Sequence, residues 1–166
     1  MKIKDVQPEL IRLVHDMARE RWPNGYNLSA DMQDSYEAMQ VEYIKTGRIT
    51  IWTGASESSI FGIPAANWCF RAWHDWWHIQ LYCGFNYKDE LKVLRYQQSD
   101  AMRWCVQNGI SFKKTRLILL LLEAEIKGQA DYELEHGEFP ADQIKFAEEY
   151  VQRTERITEK QCGKMY

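Results

Sequence analysis

Between Pro64 and Cys83 the chain reads as a helix that is apolar on nearly every side. Ala65, Ala66, Trp68, Cys69, Phe70, Ala72, Trp73, Trp76, Trp77, Ile79, Leu81 and Tyr82 leave it no face suited to water. A helix of this kind is buried, so the remaining elements must wrap around it. At about 3.6 residues per turn, Asn67, Arg71, His74, Asp75 and His78 all project within one sector about 100° wide. Buried polar groups need hydrogen-bond partners, and buried charges need counter-charges or a metal. The stripe therefore faces a polar cavity, an ion, or matching groups on other helices.

The segments on either side supply the wrapping. Leu10, Leu13, Val14, Met17 and Ala18 recur at helical spacing in 7–22, with Pro8 in the first turn and Pro23-Asn24-Gly25 as the stop. Ser29 is a candidate cap for a helix over 30–46, with Met32, Tyr36, Met39 and Tyr43 as its apolar stripe and Gly47 at its end. The period then changes: Arg48 to Thr53 is rich in β-branched residues and predicts a strand. Gly54 to Ser59 is turn material, and Ser58 to Phe61 can return as a second strand, giving a β-hairpin over 48–61. Further helices are predicted over 64–83, 87–108, 112–136 and 140–157, with a polar tail from 158 to 166 that frays. The expected fold is mainly α: one domain over 1–166, a compact bundle of about six helices with one short β-hairpin.

Bulk composition narrows the function. The 166 residues carry a net charge of −3, and the pI is near 5.8, so the chain is not a strongly basic nucleic-acid binder. No apolar run approaches the roughly 18 residues of a membrane span, and the first residues lack the apolar region of a signal peptide. Cys69, Cys83, Cys105 and Cys162 have no zinc-type spacing and read as reduced thiols, with the cytoplasm as expected location.

His74 and His78 are four residues apart on one helix face, so both imidazoles can reach one ion. Two histidines do not close a site, and a carboxylate is the usual third ligand. Periodicity sends Glu90 inward with Val93, Leu94 and Gln97, and Glu125 inward with Ile118, Leu121 and Leu122, followed by Gln129, Tyr132 and His136. As ligands we rank Glu125 above Glu90, and His136 below both. Each has a plain alternative: Glu90 complements a helix N-terminus, His136 a C-terminus, and Glu125 can pair with Arg71. Asp75 is a general base or an orienter of an imidazole, and can also pair with Arg71 four residues before it. Arg71 balances charge or holds an anionic substrate group. Asn67, Gln97 and Gln129 offer hydrogen bonds to ligands, water or substrate, while Trp73, Trp76 and Trp77 wall the cavity or stack on a substrate. His15 lies off the inward stripe and reads as a surface residue. Asp31, Asp34, Glu37 and Glu42 read as a solvated helix face, and the serines of 54–59 as either a hairpin turn or an anion cradle.

Four resemblances accompany these residues. His74-Asp75-Trp76-Trp77-His78 resembles the HExxH helix of zinc peptidases with Asp in place of Glu, which implies a zinc ion on the two histidines and Asp75 as base. His74-Asp75 also resembles the dipeptide of HD-type phosphohydrolases, which are all-helical and often act on nucleotides. Histidines and glutamates converging from several helices are similar to carboxylate-bridged diiron proteins, without their Glu-x-x-His pairs. The segment from Gly128 through Tyr132, His136 and Phe139 to Gln143 resembles small phage-encoded proteins, a resemblance with no function attached.

The expectation is a metal-dependent hydrolase acting on a small molecule, with His74, His78, Glu125 and Glu90 around a zinc, manganese or iron ion. Two alternatives stand beside it. One is a non-heme iron oxygenase using the same ligands. The other is a non-catalytic, phage-type protein that binds a host partner through its tryptophan-rich surface, with its polar stripe as a structural network and its central helix buried in a homo-oligomer.

Overall fold

A computed structural model describes residues 2–31 and 35–162. After a short 3-10 turn at Ile3–Asp5 the elements are α1 (Gln7–Arg21), β1 (Asn27–Ser29), α2 (Tyr36–Thr46), β2 (Thr50–Trp52), α3 (Pro64–Leu81) and α4 (Tyr87–Gln107). One long helix follows, formed by α5 (Phe112–Glu123), a π-helical turn (Ala124–Gly128) and α6 (Gln129–His136), and α7 (Gln143–Cys162) closes the chain. Counted with that long helix as one, the described residues hold the six helices that periodicity predicts.

The core forms because α3 is apolar on most of its circumference. Leu10, Leu13 and Val14 of α1, Ile118, Leu121 and Leu122 of α5, and Ala66, Ala72 and Trp73 of α3 are all fully buried. α1 packs along one side of α3, and α4 lies between α3 and α5. Within one chain α3 is buried along one side, from Ala66 to Ile79, while Trp68, Trp76 and Trp77 are half-buried and Pro64, Ala65 and Gln80 are exposed.

Several boundaries differ from the sequence reading. The residues expected as a hairpin do not form one. β2 pairs in parallel with β1, Leu28 opposite Ile51, and α2 is the crossover that parallel pairing requires. Residues 58–61 are turn, and Ile60 and Phe61 are buried in the core as turn residues instead of strand residues. α2 is capped by Ser35, whose hydroxyl accepts from the Ala38 N–H at 3.2 Å, while Ser29 belongs to β1. Met32 and Asp34, expected in that helix, lie outside the described residues. Glu42 is not merely solvated: it accepts from the Thr50 N–H at 3.0 Å and the Thr50 hydroxyl at 2.7 Å, tying α2 to β2. α7 starts after Asp142, which accepts from the Lys145 N–H at 2.9 Å, and it continues past the expected end at 157 to Cys162. Cys69, Cys83 and Cys105 are free and buried; the side chain of Cys162 lies outside the described part. No helix among the described residues is long and apolar enough to cross a membrane.

Gly128 sets how closely the π turn approaches α7. A Cβ there would sit 2.9 Å from the Tyr150 ring and 3.2 Å from the Phe146 ring. Gly128→Val should therefore destabilise the protein by about 1–3 kcal/mol through overpacking. A lowered urea midpoint with an unchanged m-value checks this.

Candidate metal centre

The junction of α3 and α4 builds the site. α3 ends where Tyr82 takes a left-handed conformation, φ 50°. Asn86 then caps α4 by accepting from the Asp89 N–H at 3.2 Å, and Asp89 accepts from the Gly84 N–H at 3.0 Å and the Asn86 amide at 2.7 Å. This turn folds the start of α4 over the end of α3. Glu90, in the first turn of α4, thereby reaches both histidines: its Oε2 is 3.1 Å from His74 Nε2, and its Oε1 is 3.4 Å from His78 Nε2.

The opposite ring nitrogens determine what those Nε2 atoms offer. Nδ1 of His78 donates to the Cys83 carbonyl at 3.2 Å, and Nδ1 of His74 donates to Gln97 Oε1 at 2.8 Å. A neutral imidazole that donates through Nδ1 carries its lone pair on Nε2. The two Nε2 atoms are 2.9 Å apart. Two lone pairs and a carboxylate thus converge on one point, an arrangement that repels itself unless a cation lies among them. Bonds of about 2.0–2.2 Å to one ion place neighbouring ligand atoms about 3–3.5 Å apart. The observed separations of 2.9, 3.1 and 3.4 Å fit that spacing. His74, His78 and Glu90, with ligand atoms mutually within 4.8 Å, could hold a metal ion.

Without a metal, a proton fills the same need. Burial opposes a charge on His74, but Glu90 overrides it, with help from Asp75 and Gln97, and pushes the imidazole up to about 9. Burial likewise opposes charge on Glu90, and the two imidazoles override it, holding its carboxyl well below the usual range.

His74 and Glu90 open onto a cavity of about 510 Å³, whose wall also includes Asn67, Arg71, Glu125 and Gln129. Glu125 projects from the π turn, a helical irregularity frequent at functional sites. Its Oε2 is buried without a partner, as are Nε2 of Gln129 and Nε2 of Gln97. Burial pushes Glu125 up to about 7, against the lowering effects of Gln129, Arg71 and His74.

The structure distributes the sequence candidates unevenly. It reverses the ranking of the carboxylates: Glu90 meets the histidines, and Glu125 stands outside the ligand group on the cavity wall. Trp73 and Trp77 do not wall the cavity. Their indole N–H groups donate to Asp100 Oδ2 at 3.1 and 3.0 Å, and Arg21 pairs with the same oxygen at 2.9 Å. Their side of α3 therefore serves a buried carboxylate and not a substrate, and Trp73 is fully buried. Nor does Arg71 pair with Asp75 or Glu125; Nη1 donates to the carbonyls of Trp52 at 2.6 Å and Gly54 at 2.7 Å, and the guanidinium lies over the Trp52 ring. Asp75 makes no side-chain hydrogen bond or ion pair among the described residues, and it lies off the cavity wall. Burial raises its carboxyl, while His74 and His78 draw it down. The Asn67 amide donates to Ser56 Oγ at 3.2 Å, and that hydroxyl in turn donates to the Thr53 carbonyl, so Ser56 is a structural link and not an anion cradle. His136 is exposed and stacked on Tyr132, apart from the site. His15 is exposed, with Nδ1 3.2 Å from Cys69 Sγ.

Sequence reasoning missed two functional contributors. Asp100 was visible in principle, since it follows Gln97 by one helical turn on the inward face of α4. The Cys83 carbonyl was not, because no side-chain pattern announces which backbone oxygen a ring will find.

A buried carboxyl raised above its ordinary 4.5 favours the folded state only while it is protonated. In metal-free protein the unfolded chain loses the Glu125 proton near pH 4.5 and the folded chain near 7, so this residue makes stability fall as pH rises between those values. Glu125→Gln should remove that slope, matching the parent below pH 4.5 and exceeding it above pH 7, as read from melting temperatures across the range. Comparison of the chain with protein-family models, curated proteins and solved structures finds no match to any of them, so the role of the site is read from its own geometry.

Proposed function

We propose that the chain is a metal-dependent hydrolase in which His74, His78 and Glu90 hold one divalent ion and Glu125 moves protons. The observation that carries this reading is the convergence of two Nε2 lone pairs and one carboxylate at the inner end of a cavity. A divalent ion there would polarise a carbonyl or phosphoryl oxygen and bring a water toward ionisation near neutral pH. Three protein ligands leave positions open for water and substrate, as catalytic sites require.

The chain's own groups would do the rest. Glu125 faces the same cavity with an unpartnered oxygen; burial raises its carboxyl to about 7 in the metal-free protein, and a nearby cation would draw it down, leaving a carboxylate able to accept a proton at neutral pH. It takes a proton from the attacking water and returns it to the leaving atom. Gln97 and the Cys83 carbonyl fix the two imidazoles by their Nδ1 protons, an arrangement typical of metal-bound histidine. Asp75 adds negative potential beside both rings without touching the cavity. The same donor set also suits non-heme iron. The element bound decides between the readings: zinc or manganese supports hydrolysis, and iron supports oxidation.

Elemental analysis of untagged protein checks the assignment. The parent should hold one equivalent of metal, and a folded His74→Ala/His78→Ala variant none. Gln97→Ala should weaken metal affinity by about 10–100-fold, because the ring loses its orienting partner. Glu125→Gln should keep the metal in full. Loss of metal from Glu125→Gln would make Glu125 a ligand and remove it from proton transfer, and absence of metal from the parent at any concentration would overturn the proposal.

A further inference from the structure

The cavity beyond the ligands has a chemistry of its own, and it narrows the substrate. The inner wall is acidic: Glu90 and Glu125 face it, with Asp75 behind the histidines. Arg71 is the only fixed cation on the wall among the described residues, and it is turned to the backbone carbonyls of Trp52, Gly54 and Ala55. One divalent ion brings this end close to neutrality and leaves no second cation to receive a phosphate or carboxylate. What remains is suited to an uncharged polar group: the open side of the ion and the buried amide of Gln129 beside Glu125.

Beside the exposed Glu133 and the half-buried Gln143, large apolar side chains join the wall toward the mouth. Phe85, Leu134 and Phe139 line it while remaining 47%, 72% and 55% exposed. They come from three separate places, the α3–α4 turn, α6 and the loop before α7, and all three line this cavity, with the Phe85 ring also edge-on to His78. Large apolar side chains left open to water around a cavity are covered when something apolar enters it. A volume of about 510 Å³ has room for such a group together with the reacting atoms.

We infer that the site takes an uncharged ester or amide whose carbonyl lies at the metal end and whose apolar acyl group lies on Phe85, Leu134 and Phe139. The inference rests on the metal reading above. In the reaction, the oxygen of water bonds to the carbonyl carbon and the carbon–oxygen or carbon–nitrogen bond breaks. One water proton passes by way of Glu125 to the leaving oxygen or nitrogen, and the other stays with the new carboxyl group.

Hydroxamates of two lengths test it, since each carries a metal-binding head and only one carries a tail. Zinc uptake is measured first; a protein that takes none overturns the metal reading and this inference with it. By calorimetry on the zinc-loaded protein, octanohydroxamate should bind at least about 30-fold more tightly than acetohydroxamate, the gain from burying two or three of its six additional methylenes at the open mouth. In Leu134→Ser/Phe139→Ser that advantage should fall to about 3-fold or less, with zinc content and acetohydroxamate affinity unchanged. A zinc-loaded parent that binds both hydroxamates equally, or binds inorganic phosphate more tightly than either, overturns the substrate class and leaves the metal centre standing. An advantage that survives the double substitution places the tail elsewhere and overturns the assignment to the mouth.

Discussion

Both Nδ1 protons of the histidine pair are spent on oxygen acceptors, one on the Cys83 carbonyl and one on Gln97. When both rings are neutral, that single fact leaves two Nε2 lone pairs 2.9 Å apart with a carboxylate beside them. Such a cluster needs a positive charge, and the structure around it is organised to hold one. The αL residue Tyr82 stops α3 in time for Cys83 to turn back on His78. The Asn86–Asp89 cap fixes the first turn of α4, and Glu90 follows within it. Gln97 approaches from two turns further along α4 and locks the second ring. A proton satisfies the cluster at minimum, and a divalent ion satisfies it with open positions toward a cavity.

The other face of α3 solves a different problem with the same helix. Asp100 is buried, and it takes two indole N–H groups and Arg21 on one oxygen. Removing one partner from a buried charge costs far more than the pair contributes. The tryptophans therefore read as parts of a fixed frame, holding α1, α3 and α4 in register so that Glu90 keeps its distance from the histidines. His74 and His78 of the polar stripe thus face Glu90, while the tryptophan side of α3 faces Asp100.

Much of this was legible in the sequence because helices announce themselves by period and caps. His74 and His78 were found by spacing alone, and Glu90 and Glu125 by the direction a helical wheel gives them. A wheel gives direction but not height, so it could not say which carboxylate stands level with the histidines. For Glu125 the phase itself drifts, because the π turn at Ala124–Gly128 breaks the regular winding before α6. The parallel pairing of β1 and β2 was hidden for a similar reason. Asn27-Leu28-Ser29 is three residues long and largely exposed, with no alternation to mark it as a strand. The roles of Trp73 and Trp77 depended on Asp100, a partner on another helix, which periodicity places inward without naming what it will meet.

The central claim concerns lone pairs, and nitrogen NMR reads them directly. Long-range 15N–1H spectra of the imidazoles, taken with one equivalent of zinc, should show both His74 and His78 protonated at Nδ1 only, with both Nε2 resonances moved by the metal. A proton on either Nε2 in the zinc-loaded protein, or Nε2 resonances indifferent to zinc, would mean that the cluster is a protonated His74–Glu90 pair and not a metal centre.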